Sequence, residues 1–448
     1  MTLAEQTNNI HWAFWKKILF RFFFIYLVLQ AIPWMWLDNI PGVYFITRNY
    51  NHFIDWIVRA ANANIFHVQK NLVHNPTGSD GSWNWAEQWL YTSVALCGCI
   101  IWSFIERKKN NYVKLNYWLC LIVRYYLVFV SVEYGLIKIF LRQMPFPSQS
   151  QMATPLGDFA PMRLAWMFVG SSKIYEAFAG LIEILVGILL LFRKTATLGA
   201  LLAVAVYINV LVINLSYDVP VKLFSINVVI CCLYLLLNEL ERLLCFFVLN
   251  KPAARCSIFY FSYSKKWMFN TRYILKTLFI IAVFIIPFYR YWQLKYGHHY
   301  TSAVVAKHNS PNPIQPGIYN VVVFKVNKDS LQISPSDSLR WQDVIFEHGA
   351  NSGSIKTADT IFRQRYKRGY FKYETDTKQN IINFRKLPTD SAMSQAVVLS
   401  MHYEIPDNNT IQLWGKENND SLYVLLKRSN HHFQLSEKQF HWMSNYSK

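Results

Sequence analysis

Charge is scarce in this chain: 16% of its 448 residues are Asp, Glu, Lys or Arg, where soluble domains carry about a quarter. Acids are the rarer sign, 26 against 45 bases. Cysteine is sparse too, and Cys97, Cys99, Cys120, Cys231, Cys232, Cys245 and Cys256 all precede residue 294, so a disulfide-scaffolded C-terminal part is excluded. Cys97-Gly98-Cys99 and Cys231-Cys232 lack the Cys-x-x-Cys spacing of a thioredoxin-like centre, and helical residues that close point to different faces, which favours packing over redox work. No long apolar segment contains a histidine, so a haem held between helices has no axial ligand. His67, His74 and the adjacent pairs His298-His299 and His431-His432 lie outside those segments, and no metal site is evident. A Gly-rich phosphate loop and a Gly-x-Ser-x-Gly elbow are both missing.

What the chain has is apolar length. It is 53% hydrophobic and 17% aromatic, with apolar segments near 18–37, 88–105, 115–141, 174–192, 195–215, 223–241 and 273–289. A crossing needs roughly 17 to 25 residues, so about seven spans are expected. The first contains Pro33, Trp34 and Trp36 without a small-residue cleavage pattern, so it reads as a span rather than a signal. The fold expected is a polytopic α-helical membrane bundle with a C-terminal extracytoplasmic antiparallel β domain, barrel or sandwich. Its sections are 1–110 (two spans and a long external loop), 111–247 (a four-helix core), 248–293 (a basic loop and the last span) and 294–448 (the β domain).

Basic residues cluster before the first span (Lys16, Lys17, Arg21), between the second and third (Arg107, Lys108, Lys109, Lys114), between the fourth and fifth (Arg193, Lys194), and between the sixth and seventh (Arg242 to Lys276). With seven spans all four clusters share a side. The positive-inside rule then places the N-terminus in the cytoplasm and the C-terminal domain outside. Basic loops beside anionic lipid account for much of the net charge of +19, and no groove-reading or base-stacking motif accompanies it, so nucleic acid is not an expected partner.

Polarity inside the spans is not scattered. Arg124, Ser131, Gly135, Lys138 and Arg142 form one stripe at 3.6 residues per turn, and Glu176, Gly180, Glu183 and Gly187 form another. A charge near mid-bilayer costs about 2.5 to 3.5 kcal/mol even on a lenient scale. Both stripes should therefore face the bundle interior, with small residues allowing close approach. The expected pairs are Lys138 with Glu176 and, deeper, Arg124 with Glu183; Glu133, on the opposite face, should serve another contact. The fifth span adds Asn209 and Asn214. The turn before the sixth adds Asp218 and Lys222, with Asp218 placed to cap that helix ahead of Pro220.

Two long loops face outward. One, about Asp38 to Glu87, ends in the turn-rich Asn75-Pro76-Thr77-Gly78-Ser79-Asp80-Gly81-Ser82. The other, Gln143 to Ser172, contains Asp158 and the short apolar run Leu164 to Val169, which reads as a re-entrant or interfacial piece over the bundle mouth. Asp80 and Asp158 are candidate catalytic carboxylates, and turn or cap roles are the plainer reading of each. Beyond residue 294, segments such as Ile318 to Val326, Ala396 to Tyr403, Thr410 to Trp414 and Leu422 to Lys427 are rich in β-branched and aromatic residues. They read as short antiparallel strands whose barrel either holds an apolar ligand or is filled.

The runs Tyr134-Gly135-Leu136-Ile137-Lys138-Ile139, Phe178-Ala179-Gly180-Leu181-Ile182-Glu183-Ile184-Leu185-Val186-Gly187 and Arg193-Lys194-Thr195-Ala196-Thr197-Leu198-Gly199-Ala200 resemble the DoxX/DoxD-like family of four-helix membrane proteins over about 111–247. A long form of that family, found in Bacteroidetes-type bacteria with a C-terminal β domain, is similar throughout. Its likeness is carried by Gln143-Met144-Pro145-Phe146-Pro147, Leu156 to Met162, Asn214 to Leu223 and the terminal Phe440-His441-Trp442. The resemblance implies a multi-pass protein of the bacterial inner membrane with the lipid bilayer as its partner; it leaves the cofactor unknown, with a quinone the candidate it allows, and allows redox or envelope protein subunits as further partners. Three classes stay open: an accessory subunit of a quinone-linked complex; an envelope transport, assembly or maintenance protein whose external β domain binds a lipid or protein partner; and a membrane enzyme using Glu183 with Arg124 or Lys138. Whether the chain is itself an enzyme is left open by the sequence.

Overall fold

The computed structural model describes residues 11–32, 34–75, 78–252, 265–296, 312–327, 329–331, 339–349, 351–386, 396–417 and 420–437. Pro33, Pro76, Thr77, Arg255, Cys256, His298, His299, Phe440, His441 and Trp442 lie outside the described residues. The chain divides into two compact units, one of residues 1–144 and 172–297, the other of residues 145–171 and 298–448.

The first unit is helical. Its helices are α1 (Phe14–Ala31), α2 (Tyr44–Ala61), α3 (Ser82–Ile105) and α4 (Val113–Ile139). After the segment given to the second unit, α7 (Lys173–Leu191), α8 (Ala196–Ser216), α9 (Lys222–Leu237), α10 (Leu240–Phe247), α11 (Lys266–Ile280) and α12 (Ile286–Tyr296) complete it. Among the described residues six helices are long and apolar enough to cross a membrane, and a seventh is counted if α9 and α10, bent by 67°, form one span. This is a membrane protein with multiple transmembrane helices. α4 is the central post: its 27 residues extend about 40 Å, and Leu119, Val123, Leu127 and Val128 are completely buried.

Within the long first loop, α2 is amphipathic. Ile54 and Val58 pack with Leu72 on Ala86 of α3, while Phe53 and Trp56 are exposed, as on a helix lying in a bilayer interface.

The second unit is a closed antiparallel barrel. Its strands are β1 (Gly317–Val326), β2 (Asp329–Ser330), β3 (Asp343–Phe346), β4 (Ser352–Ile355), β5 (Arg363–Arg365), β6 (Arg368–Asp376), β7 (Ile381–Lys386), β8 (Val397–Asp407), β9 (Thr410–Glu417) and β10 (Asp420–Arg428). Eight of them follow one another around the wall in the order β1, β3, β4, β6, β7, β8, β9, β10, and β10 pairs back onto β1; β2 and β5 hang on the edges of β1 and β6. Period-two alternation drives this: Leu399, Met401 and Tyr403 of β8 and Leu422, Val424 and Leu426 of β10 point inward, and their neighbours do not. Closure removes the free edge that a sheet this long would otherwise expose. The interior is filled by Trp341, Phe324, Phe346, Phe362, Phe371 and Phe384, which decides the sequence alternatives in favour of a packed barrel.

The segment after α4 belongs to this unit. Its helices are α5 (Gln149–Met152) and α6 (Pro161–Gly170). The amides of Gln149 and Ser150 donate to the Glu347 carboxylate at 3.1 and 2.9 Å, where a helix N-terminus favours an anion. The Ser150 hydroxyl meets Ser354 at 2.8 Å, and Arg368, 2% exposed, donates from Nε to that same Ser354 at 2.8 Å while pairing with Asp343. The expected re-entrant run Leu164 to Val169 is thus part of α6, in the barrel's unit.

Candidate functional site

The two polar stripes do meet, and their glycines are the reason. A methyl group built on Gly180 of α7 would lie 2.6 Å from the Gly135 carbonyl oxygen of α4, and one on Gly135 would lie 2.8 Å from the Gly180 carbonyl oxygen. Only hydrogen fits between the backbones there.

Beside this seam the pairing differs from expectation. Lys138 Nζ contacts both Glu183 carboxylate oxygens at 2.6 Å, and the two residues are 7% and 3% exposed. Glu176 instead accepts the Met144 amide at 3.0 Å, where the chain leaves α4. The physical reason is side-chain direction: a helical side chain leans toward its own N-terminus, so Lys138, near the C-terminal end of α4, reaches inward to the deeper acid. Beneath the pair, the Ser131 and Tyr207 hydroxyls share a 2.8 Å bond. Glu133, as expected, serves a different contact, accepting from Arg290 and Tyr291 of α12 at 2.9 Å each.

Arg124 is left without the acid assigned to it. Its Nε is buried with no hydrogen-bond partner among the described residues, and its guanidinium carbon lies 5.7 Å from the Tyr125 ring centroid. It lines a cleft of about 1420 Å³, whose other cations are Arg193, Lys194, Arg242, Arg272 and Lys276. Glu239, paired with Arg242, is the acid on its wall. Trp36, Tyr117, Trp118, Phe192, Trp267 and Phe279 supply aromatic surface, with Lys276 Nζ 4.5 Å from the Phe192 centroid. The cleft thus joins a predominantly cationic cluster to an aromatic wall.

A second cavity, of about 1110 Å³, lies toward the opposite ends of the spans. A closed ring of polar groups from α1, α3 and α9 borders it. Tyr26 donates to Asn227 at 2.6 Å and accepts from Gln88 at 2.7 Å, while Gln30 donates to Gln88 at 2.8 Å and accepts from Asn227 at 3.2 Å. Asp55 of α2 accepts from Arg59 at 2.9 Å and from Trp83 Nε1 at 2.7 Å, and the Arg59 bond holds its carboxyl below the ordinary aspartate range.

The remaining candidates have local jobs. Asp80, from the first loop, accepts the Lys222 and Leu223 amides at 2.9 and 3.0 Å and so caps α9. That corrects the cap assigned to Asp218, which sits in the left-handed region at φ 50°, is 81% exposed and pairs with Lys222 at 2.7 Å. A residue so close in sequence to the helix start is turned outward by that backbone conformation, whereas the returning loop brings Asp80 over the free amides. Asp158 pairs with Lys367 at 2.6 Å inside the barrel unit. Asn214 is buried and Asn209 exposed. Among the described residues no group of three or more His, Cys, Asp or Glu side chains is placed to hold a metal ion.

Arg21 was hidden in its cluster of basic residues. It is buried, donating to Tyr112 Oη at 2.8 and 2.9 Å, to Ser103 Oγ at 2.8 Å and to the Glu106 carbonyl at 3.0 Å. One periodic signal was available: Arg21 falls within an apolar run, where a charge needs partners.

Comparison with known proteins supplies one relative. Over 113 residues, 25% of this chain and 71% of the relative, the chain is 35% identical to the uncharacterized protein YwoB of Bacillus subtilis (strain 168). The chain belongs to the YwoB family. No family model and no solved structure matches it. YwoB being uncharacterized, kinship with it brings no activity.

Proposed function

We propose that this YwoB-family protein binds an anionic amphiphile in the basic cleft of its helical bundle, serving envelope lipid handling. The carrying observation is Arg124: a buried guanidinium nitrogen without a hydrogen-bond partner, lining a 1420 Å³ cleft with five further cations and an aromatic wall. A guanidinium nitrogen buried without a partner is costly, and an incoming phosphate or carboxylate relieves that cost through charge-assisted hydrogen bonds. The tail of such a ligand lies along Trp36, Phe192 and Phe279.

The resemblance to DoxX/DoxD-like proteins favours a second occupant of the same cleft, a quinone, whose ring would stack on the aromatic wall. The chain would then be an accessory of a quinone-linked complex. Purification in mild detergent followed by extraction and mass spectrometry separates the two. The expected result is co-purifying anionic lipid that Arg124→Gln reduces about tenfold. Quinone as the retained species moves the reading to the redox class, and an empty extract from the intact protein removes both.

The setting proposed is the bacterial inner membrane, with the basic cleft on the cytoplasmic side and the barrel in the periplasm, supported by the four basic clusters. Alkaline phosphatase fused after Lys448 should be active. An inactive enzyme there, together with a fluorescent cytoplasmic reporter at the same point, reverses the orientation.

A further inference from the structure

The basic cleft and the second cavity share a wall. Ile32, Met35, Tyr126 and Phe129 line both. Tyr126 and Phe129 stand three residues apart on α4, on one face of that helix. Ile32 and Met35 come from a break in the first span, where α1 stops at Ala31. Ile32 takes a left-handed φ of 34°, and the chain turns into a 3-10 segment, Met35–Asn39. A second irregular segment faces this break: α11 passes into a π-helical stretch, Ile281–Ile285, just beyond Phe279, whose ring lies 5.5 Å from that of Trp36.

In a membrane, backbone groups freed by such breaks go unsatisfied unless protein or a water-filled cavity serves them. Interrupted spans accordingly mark substrate paths in transporters, and π stretches recur at functional sites. Here two interruptions converge on the partition between two cavities. Each cavity also has a cation on its wall. On one side is Arg124; on the other is Arg48, which lies 5.8 Å from the Tyr44 ring centroid. The second cavity is lined by four carboxylates as well, and each is engaged locally: Asp38 by Thr47, Asp55 by Arg59 and Trp83, Glu87 by Tyr91, and Glu133 by Arg290 and Tyr291.

We infer that the bundle passes its anionic amphiphile from one leaflet to the other, the headgroup moving from the basic cleft past Ile32, Met35, Tyr126 and Phe129 into the second cavity. This rests on the binding reading above. The ligand class is a lipid bearing a phosphate or similar single anion, whether a glycerophospholipid or an isoprenoid phosphate.

The test is transfer in vesicles. The full chain is reconstituted into phosphatidylcholine vesicles containing tail-labelled fluorescent phosphatidylglycerol, and dithionite is added outside. In protein-free vesicles only the outer leaflet bleaches. With protein the inner-leaflet signal should follow, while a soluble dye trapped inside stays protected. Phe129→Trp, which thickens the partition, and Arg124→Gln should each slow transfer by about tenfold. A parallel arm with a fluorescent isoprenyl phosphate tells which lipid source crosses faster. If protein-bearing vesicles stop at the protein-free plateau with both lipids while detergent-purified protein still retains anionic lipid, the passage is wrong and the binding reading stands. Transfer that Arg124→Gln leaves unchanged overturns the assigned path as well.

Discussion

Lys138 and Arg124 leave the same helix about four turns apart, belong to the same sequence stripe, and end in opposite circumstances. Lys138 is sealed against Glu183 beside two glycines and is 7% exposed. Arg124 faces a cleft and keeps a buried nitrogen unpartnered. The difference lies in the facing surface rather than in the stripe. Opposite Lys138, α7 presents Gly180 and Glu183. Level with Arg124 it has run out, and Phe192, Arg193 and Lys194 form the cleft wall instead. A charge in a membrane stripe therefore has two fates here, internal pair or cleft wall, and the neighbour decides between them.

The largest expected effect tests the sealed fate. Lys138→Met or Glu183→Gln alone strands one member of a buried pair, and each should lower stability in detergent by about 3 to 5 kcal/mol. The double variant Lys138→Met/Glu183→Leu removes both charges and should recover most of the loss, read as the midpoint of thermal unfolding. Arg124→Gln should move that midpoint far less, because it strands no internal acid. Losses in the double variant equal to the two singles added, or a fall of similar size in Arg124→Gln, would erase the contrast between the two ends of α4.

How much of this was legible beforehand follows from what periodicity reports. The stripes of α4 and α7 and the strand alternation of β8 and β10 repeat every few residues. Their meeting face, and a β domain of antiparallel strands, could be read directly. Partner choice within the stripe could not, since it turns on one helical turn of depth and on which way Lys138 leans. The second cavity was harder still. Tyr26, Gln30, Gln88 and Asn227 come from three helices far apart in sequence, and each is an ordinary residue in its own segment. The loop of 145–171 carried no signal of its attachment, because Glu347, Ser354 and Tyr366, which hold it, lie some two hundred residues on.

The smallest effect sharpens the same contrast at the start of α9, where two aspartates compete for one role. Asp80 accepts two free amides and lies 3.5 Å from Lys222 Nζ, with 12% of its side chain exposed; Asp218 makes one ion pair and is 81% exposed. Capping is worth about 1 kcal/mol, within a range of roughly 0.5 to 2, and an exposed ion pair typically well under about 1 kcal/mol. Asp80→Ala should therefore lower the unfolding midpoint measurably. Asp218→Asn should barely move it, since asparagine tolerates the left-handed φ of 50° that this position holds. The cap also ties the first loop to α9: the Ser79 amide donates to the Pro220 carbonyl at 2.7 Å, and a methyl on Gly78 would lie 1.9 Å from that oxygen. Hydrogen exchange in 78–82 should rise in Asp80→Ala and stay protected in Asp218→Asn. The reverse order, with Asp218→Asn the more damaging, would return the capping role to Asp218 and leave the loop held by its backbone contacts alone.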